Sequence, residues 1–137
     1  MHNDDESDVY YINTDLMLTA PVDLAPLAQA MASAHLCDCS ISCLHDSQAD
    51  DGVYHSVFEA YGPQGSYGTP EESINVLLGA VEQLPQALKP LWQACTRKTM
   101  DIGLRSDALT HSLTYPLRFG TLARMHLLGI DLAITVY

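Results

Sequence analysis

The first 88 residues of this chain contain neither lysine nor arginine. They carry fourteen aspartate and glutamate residues, for a formal charge of −14, whereas the remaining 49 carry six basic and three acidic residues, for +3; together these give the net −11. Binding to nucleic acid requires a basic footprint, so this charge argues against a nucleic-acid partner. An acidic surface instead attracts basic proteins over a Debye length, about 8 Å at physiological salt.

Long apolar runs are also missing, since none approaches the roughly 18 residues that a membrane helix needs. Residues 1–8 (MHNDDESD) have neither the basic nor the apolar region of a signal peptide. We therefore expect a cytoplasmic protein with no membrane partner. Residues 1–8 are predicted to form a flexible acidic tail, and residues 9–137 a single α+β domain.

The motifs of nucleophilic and phosphate-binding enzymes are absent as well. There is no G-x-S-x-G elbow, and the glycine-rich segment 62–69 lacks the lysine of a phosphate loop. The six histidines show no spacing that selects a catalytic partner. The sequence therefore predicts a protein that is not an enzyme and has no cofactor, with a loop over 62–69. A pair of carboxylates that meet only in the fold stays open, because sequence distance does not reveal such a pair.

Three of the four cysteines, Cys37, Cys39 and Cys43, lie within seven residues in a predicted strand. Alternation would place them on one face with His45, and a hairpin would set His55 opposite His45, which makes a metal site one interpretation. A flat C-x-C strand, however, separates its side chains by roughly 7 Å, too far for two bonds to one zinc ion. We expect structural, metal-free cysteines.

Hydrophobic periodicity predicts the element order β-α-β-β-α-β-(β)-α-β. The predicted strands cover 9–18, 36–44, 53–61, 97–104 and 130–137, with a strand or loop over 109–115, and the predicted helices cover 22–35, 70–95 and 119–128. Pro85 and Pro90 should kink or divide the second helix near Leu84. Strands in hairpin order with helices between them indicate an α+β fold, a mainly antiparallel sheet with helices on one face, ferredoxin-like in outline.

The core is expected to form from the apolar faces of these elements. The predicted core residues are Ile12, Leu16, Leu27, Leu77, Val81, Leu91, Trp92, Leu122, Leu132, Ile134 and Val136.

Several segments of the chain carry a family resemblance. They are 11–16 (YINTDL), 52–59 (GVYHSVFE), 99–103 (TMDIG), and 121–124 (TLAR) leading into 129–137 (GIDLAITVY). Together they resemble an uncharacterised family of small bacterial α+β proteins. Related small families resemble immunity proteins encoded beside secreted polymorphic toxins. The chain departs from the family pattern at 109–113 (LTHSL), where a Trp- or Phe-containing segment is expected.

The resemblance implies an immunity protein, and the charge asymmetry favours the same function, because opposite potentials speed association and select partners. We expect a cytoplasmic, antitoxin-like protein that neutralises a cognate toxin domain through an acidic surface. The expected partner is a basic toxin domain, such as a nuclease or another secreted effector. The alternative is a small enzyme, or a domain that binds a small molecule or metal, using histidine and carboxylate side chains.

The acidic turn of the predicted hairpin is the expected docking surface, with tyrosine anchors, since tyrosine is enriched in binding hot spots. No lysine or arginine stands near this turn in the sequence. No catalytic or metal-binding residue is predicted. The predicted partner-binding residues are Asp46, Asp50, Asp51, Tyr54, Glu59, Tyr61, Tyr67, Glu71 and Glu72.

Overall fold

The computed structural model describes residues 10–36, 38–49, 51–105 and 114–137, without the side chains of residues 45 and 46. The predicted tail over 1–8 and most of the segment 109–115 lie outside these ranges. Within the ranges described, no helix has the length and apolar character needed to cross a membrane.

The strands of the described chain form one mostly antiparallel sheet. In chain order they are β1 (Tyr10–Ala20), β2 (Ser40–Gln48), β3 (Tyr54–Gly62), β4 (Gly65–Ser66), β5 (Arg97–Arg105) and β6 (Asp131–Val136). The sheet order is β2-β3-β1-β5-β6, with the short β4 paired to β3, and only the β5–β6 pair is parallel. The order β2-β3-β1-β5 is that of a split β-α-β fold. The predicted ferredoxin-like α+β outline is confirmed, and β6 extends it by one strand.

The helices connect these strands and pack on one face of the sheet. They are α1 (Ala25–Ala32), α2 (Pro70–Glu82), α3 (Lys89–Ala94) and α4 (Phe119–Leu128), with a 3₁₀ turn over Gln86–Leu88. The predicted helix over 70–95 is divided, because Pro85 and Pro90 lack the backbone N–H that a continuous helix needs. The predicted bounds of α4 are confirmed, since Gly129 ends it in the left-handed conformation at φ 72°.

The core lies between the helices and one sheet face. Fully buried side chains include Leu16 and Leu18 of β1, Phe58 of β3, Met100 of β5 and Leu77 of α2. The predicted core residues Leu16, Leu27, Leu77, Val81 and Trp92 are buried, and Leu91 packs against them half-buried.

The other predicted core residues are not buried. Ile12 is 38 % exposed, because a register shift between Tyr11 and Asn13 interrupts the alternation of β1 and buries Tyr11 and Thr14 instead. Leu132, Ile134 and Val136 are 41 %, 61 % and 60 % exposed. They lie on β6, which stands at the edge of the sheet that the described residues form. Alternation shows which side chains share a face, but it does not show whether another element covers that face.

The prediction for Leu122 was also wrong, since this residue of α4 is 40 % exposed. The buried face of α4 carries Thr121 and Met125 instead. Helical spacing alone did not separate these neighbouring positions, because α4 has apolar residues around most of its circumference.

Candidate functional site

The sheet face opposite the helices is the candidate site. On β1 it carries Asn13, Asp15, Met17 and Thr19, all half-buried, which alternate with the buried residues that face the helices. This pattern follows from the period of two in a strand, which sends successive side chains to opposite faces. We call this surface the open face.

Three carboxylates lie side by side at the centre of the open face. Asp15 of β1 pairs directly with Glu59 of β3 on one side and with Asp101 of β5 on the other. Directly opposed residues in antiparallel strands have Cβ atoms roughly 5 Å apart, and like charges there repel each other. We call Glu59, Asp15 and Asp101 the acidic row.

Neutral donors satisfy part of the hydrogen-bonding capacity of the acidic row. The Tyr61 hydroxyl donates to Glu59 Oε1 at 2.8 Å, and Asn13 Nδ2 donates to Asp15 Oδ1 at 3.2 Å. The Thr135 hydroxyl of β6 donates to Asp101 Oδ1 at 2.8 Å. Each donor stabilises its carboxylate without cancelling its negative charge.

Burial and mutual repulsion act together on the central carboxylate. Burial is the largest cause that raises the pKa of Asp15 to about 6, and the charges of Glu59 and Asp101 raise it further. Glu59 is itself only 9 % exposed, and its hydrogen bond raises the pKa of the Tyr61 hydroxyl. Chemically, the row can bind a cationic group, or hold a proton near neutral pH.

The predicted hairpin surface is described only in part. Asp50 and the side chain of Asp46 lie outside the described residues. Asp51 is exposed in the turn, where its Oδ1 accepts a hydrogen bond from the Val53 N–H at 3.0 Å. This contact stabilises the turn and leaves the rest of the Asp51 carboxylate in solvent.

The predicted tyrosines separate onto different surfaces. Tyr61 lies on the open face beside Glu59, whereas Tyr54 and Tyr67 pack against the core on the helix side. The Tyr67 hydroxyl contacts Cys39 Sγ at 2.8 Å, and burial followed by this contact raises the pKa of Tyr67 to about 12. Of the nine predicted residues, the open face brings together Glu59 and Tyr61.

The two glutamates at the start of α2 have local structural contacts. Thr69 is the N-cap of α2: its hydroxyl accepts a hydrogen bond from the Glu72 N–H at 3.4 Å and donates one to Glu72 Oε1 at 3.0 Å. Glu71 accepts hydrogen bonds from the Thr121 hydroxyl at 2.6 Å and the Arg118 N–H at 3.1 Å. Glu71 therefore joins α2 to α4.

The predicted one-sided arrangement of cysteine and histidine was wrong. A register shift places Cys43 opposite Phe58 and position 45 opposite Val57, which lie on opposite faces, and His55 pairs with Ser47. Leu44 is the extra residue that changes the face of the strand. Cys39, Cys43 and Cys95 are thiols. Over the part of the chain that is described, no three His, Cys, Asp or Glu side chains are arranged to hold a metal ion.

Sequence reasoning missed Asp15 and Asp101 as site residues. Both occur in the middle of strands, within the segments 11–16 and 99–103 that carry the family resemblance. A carboxylate in the middle of each strand was the available signal, since charged side chains are seldom buried. Comparison with known proteins found no matching family model, no matching curated protein and no matching solved structure.

Proposed function

We propose that this protein is a cytoplasmic immunity protein that binds a basic toxin domain through the open face of its sheet. The acidic row is the observation that carries this proposal. Three adjacent carboxylates repel each other in the unbound protein, and a lysine or arginine side chain of a partner would relieve that repulsion.

The surroundings of the acidic row support protein recognition. Met17 and Val57 pair directly beside Asp15 and Glu59, on the same face and both half-buried. Tyr61 borders Glu59. Tyrosine and methionine are enriched in protein–protein interfaces, so this half-buried patch beside the acidic row supports protein recognition.

The genes beside this one provide the first test. A toxin or secreted-effector gene immediately adjacent is the expected result, and its toxin domain is then the binding partner to purify. An isolated metabolic operon would contradict the immunity proposal. With the domain in hand, the full chain should abolish its toxicity in co-expression and bind it at equimolar ratio by calorimetry.

Two triple variants test which surface binds. Asp15→Asn/Glu59→Gln/Asp101→Asn should slow association with the toxin domain by about tenfold at low salt and flatten its salt dependence, because negative charge on the binding face attracts a basic partner before contact. The matched control is Asp46→Asn/Asp50→Asn/Asp51→Asn, which removes three negative charges from the hairpin.

Stopped-flow association rates at several salt concentrations distinguish the outcomes. Slowing by the hairpin variant alone would move the docking surface to the hairpin. No effect of either variant would move it elsewhere, with the basic segment 97–124 the next surface to test. Neutralisation of the toxin by the unmodified chain is measured separately, so a misplaced surface is distinguishable from a wrong function.

One observation favours the alternative of a small enzyme. A half-buried carboxyl whose pKa is raised to about 6 by burial and neighbouring charge is a feature of general acids and bases. In that case Asp15→Asn should abolish turnover while leaving substrate affinity nearly unchanged. In the immunity proposal, this single change only weakens binding to the toxin.

A further inference from the structure

A cavity of about 340 Å³ lies on the helix side of the sheet, between the helices and β5. Val81, Leu84, Trp92 and Leu128 supply apolar walls. A volume of this size falls within the range of small-molecule sites.

The charge of this cavity is opposite to that of the chain as a whole. Its lining includes Lys89 and Lys98, which are the only lysines in the sequence, together with His126. None of the described residues that line it is acidic, although the chain has 17 acidic and 6 basic residues. An anion would therefore meet attractive charge here and repulsive charge over the acidic row.

The ammonium group of Lys98 is held in place by its surroundings. Its Nζ lies 5.5 Å from the centroid of the Trp92 ring, which is a cation–π contact. The Trp92 indole N–H donates to the Leu128 carbonyl at 3.1 Å, which fixes the ring. A Cβ at Gly129 would stand 3.5 Å from Lys98 Cε, so the side chain of Lys98 also lies against this backbone.

We propose that this cavity binds a small organic anion, with an apolar body against Trp92 and a carboxylate or phosphate head between Lys89 and Lys98. A fixed aromatic wall and a held cation lower the ordering cost of binding. This inference is independent of the proposed immunity function, because it uses a different face of the molecule.

Trp92 is the only tryptophan of the chain, so its fluorescence reports directly on the cavity. Titration of the full chain with octanoate should shift the Trp92 emission with saturation and a Kd of about 1 mM or below, which modest ligand efficiency gives for ten non-hydrogen atoms. Octyl phosphate tests the phosphate head. Octanol and inorganic phosphate test the apolar body and the charge separately, and each should bind at least about tenfold more weakly.

Lysine variants test the assigned contacts. Lys89→Met/Lys98→Met keeps the apolar stems and should weaken octanoate binding by about tenfold or more, whereas Arg97→Met removes a charge from the open face and should leave the Kd within about twofold. Lys89→Met alone should weaken binding by about threefold if the double variant does not fold. Three results would each overturn the proposal. The Trp92 emission would stay unchanged at about 20 mM octanoate, octanol would bind as tightly as octanoate, or the lysine and arginine variants would change the Kd equally.

Discussion

Asp15 is a charged residue whose ionisation destabilises the folded protein. Burial first, and then Glu59 and Asp101, raise its pKa from 3.8 to about 6. The folded protein therefore binds a proton at this site more readily than the unfolded chain does. The contribution of Asp15 to stability is most favourable below about pH 4 and becomes unfavourable as the pH rises through about 6.

Asp15→Asn removes this unfavourable charge while keeping the shape of the side chain. We expect the variant to be more stable than the unmodified protein at pH 8 by about 1 kcal/mol, a value discounted for partial solvent screening, and to match it near pH 4. Urea unfolding at pH 4, 6 and 8 measures the difference.

Asp131→Asn is the control for this prediction, since Asp131 is an exposed carboxylate at the start of β6. It should change the free energy of unfolding by less than about 0.5 kcal/mol at every pH. A destabilised Asp15→Asn protein at pH 8 would show that the Asp15 charge does not destabilise the folded protein and would contradict this prediction.

At the scale of elements, a polar network fixes α4 against α2. Arg124 bonds both oxygens of Glu82, at 2.8 and 2.7 Å, and donates to Asn75 Oδ1 at 2.6 Å. Burial raises the pKa of Glu71, but the hydrogen bonds from Thr121, the Arg118 N–H and Asn75 outweigh it and lower that pKa overall. The network thus depends on ionised glutamates.

Glu71→Ala and its neighbour Glu72→Ala separate this network from ordinary capping. We expect Glu71→Ala to lower the free energy of unfolding by about 1–3 kcal/mol at pH 7, because it leaves donors on both helices without an acceptor. Glu72→Ala removes only the exposed acceptor of the Thr69 hydroxyl and should cost less than about 1 kcal/mol.

Urea unfolding at pH 7 and pH 3 checks both values. The folded pKa of Glu71 is lowered, so its contribution is present above the unfolded pKa and is lost as the pH falls. The difference between the two variants should therefore shrink at pH 3. Equal costs for the two variants at pH 7 would show that the network adds nothing beyond capping.

Sequence patterns predicted the helices and strands better than they predicted the register of the strands. The bounds of α4 followed from helical spacing and the stop at Gly129, and the division after α2 followed from Pro85 and Pro90. The short strand β4 within the predicted loop over 62–69 was missed, because two residues show no alternation. Register shifts at Ile12 and Leu44 were missed because one inserted residue leaves no mark on composition.

The candidate site was only partly predictable for a related reason. Glu59 and Tyr61 were predicted as binding residues, and they do share a face. Asp15 and Asp101 stand 86 positions apart in sequence, and only the pairing of β1 with β5 makes them neighbours. Pairing over such distances depends on the whole core, and local periodicity carries no information about it.

At the scale of the whole molecule, charge is divided by element. The acidic first 88 residues form β1 to β4, α1 and α2, whereas every lysine and arginine lies at or beyond the start of α3. With a net charge of −11, repulsion within the compact state should be substantial at low salt.

Salt should therefore stabilise this protein. Between about 10 mM and 0.5 M sodium chloride the Debye length falls from about 30 Å to a few ångströms, and we expect the free energy of unfolding to rise by about 1 kcal/mol. Thermal and urea unfolding measure this change, and choline chloride should act equally because screening depends on ionic strength. A loss of stability with salt would show that ion pairs such as Arg124–Glu82 dominate the electrostatic energy.

The central position of β1 also has a consequence during synthesis. Its two neighbours are β3 and β5, and the end of β5 is made about 85 residues after the end of β1. At roughly 5–20 residues per second, the ribosome takes some 4–17 seconds to add that length of chain. Until then Leu16 and Leu18 lack their neighbours on β5, Met100 and Lys98. The negative charges along the emerging chain repel neighbouring nascent chains during this time.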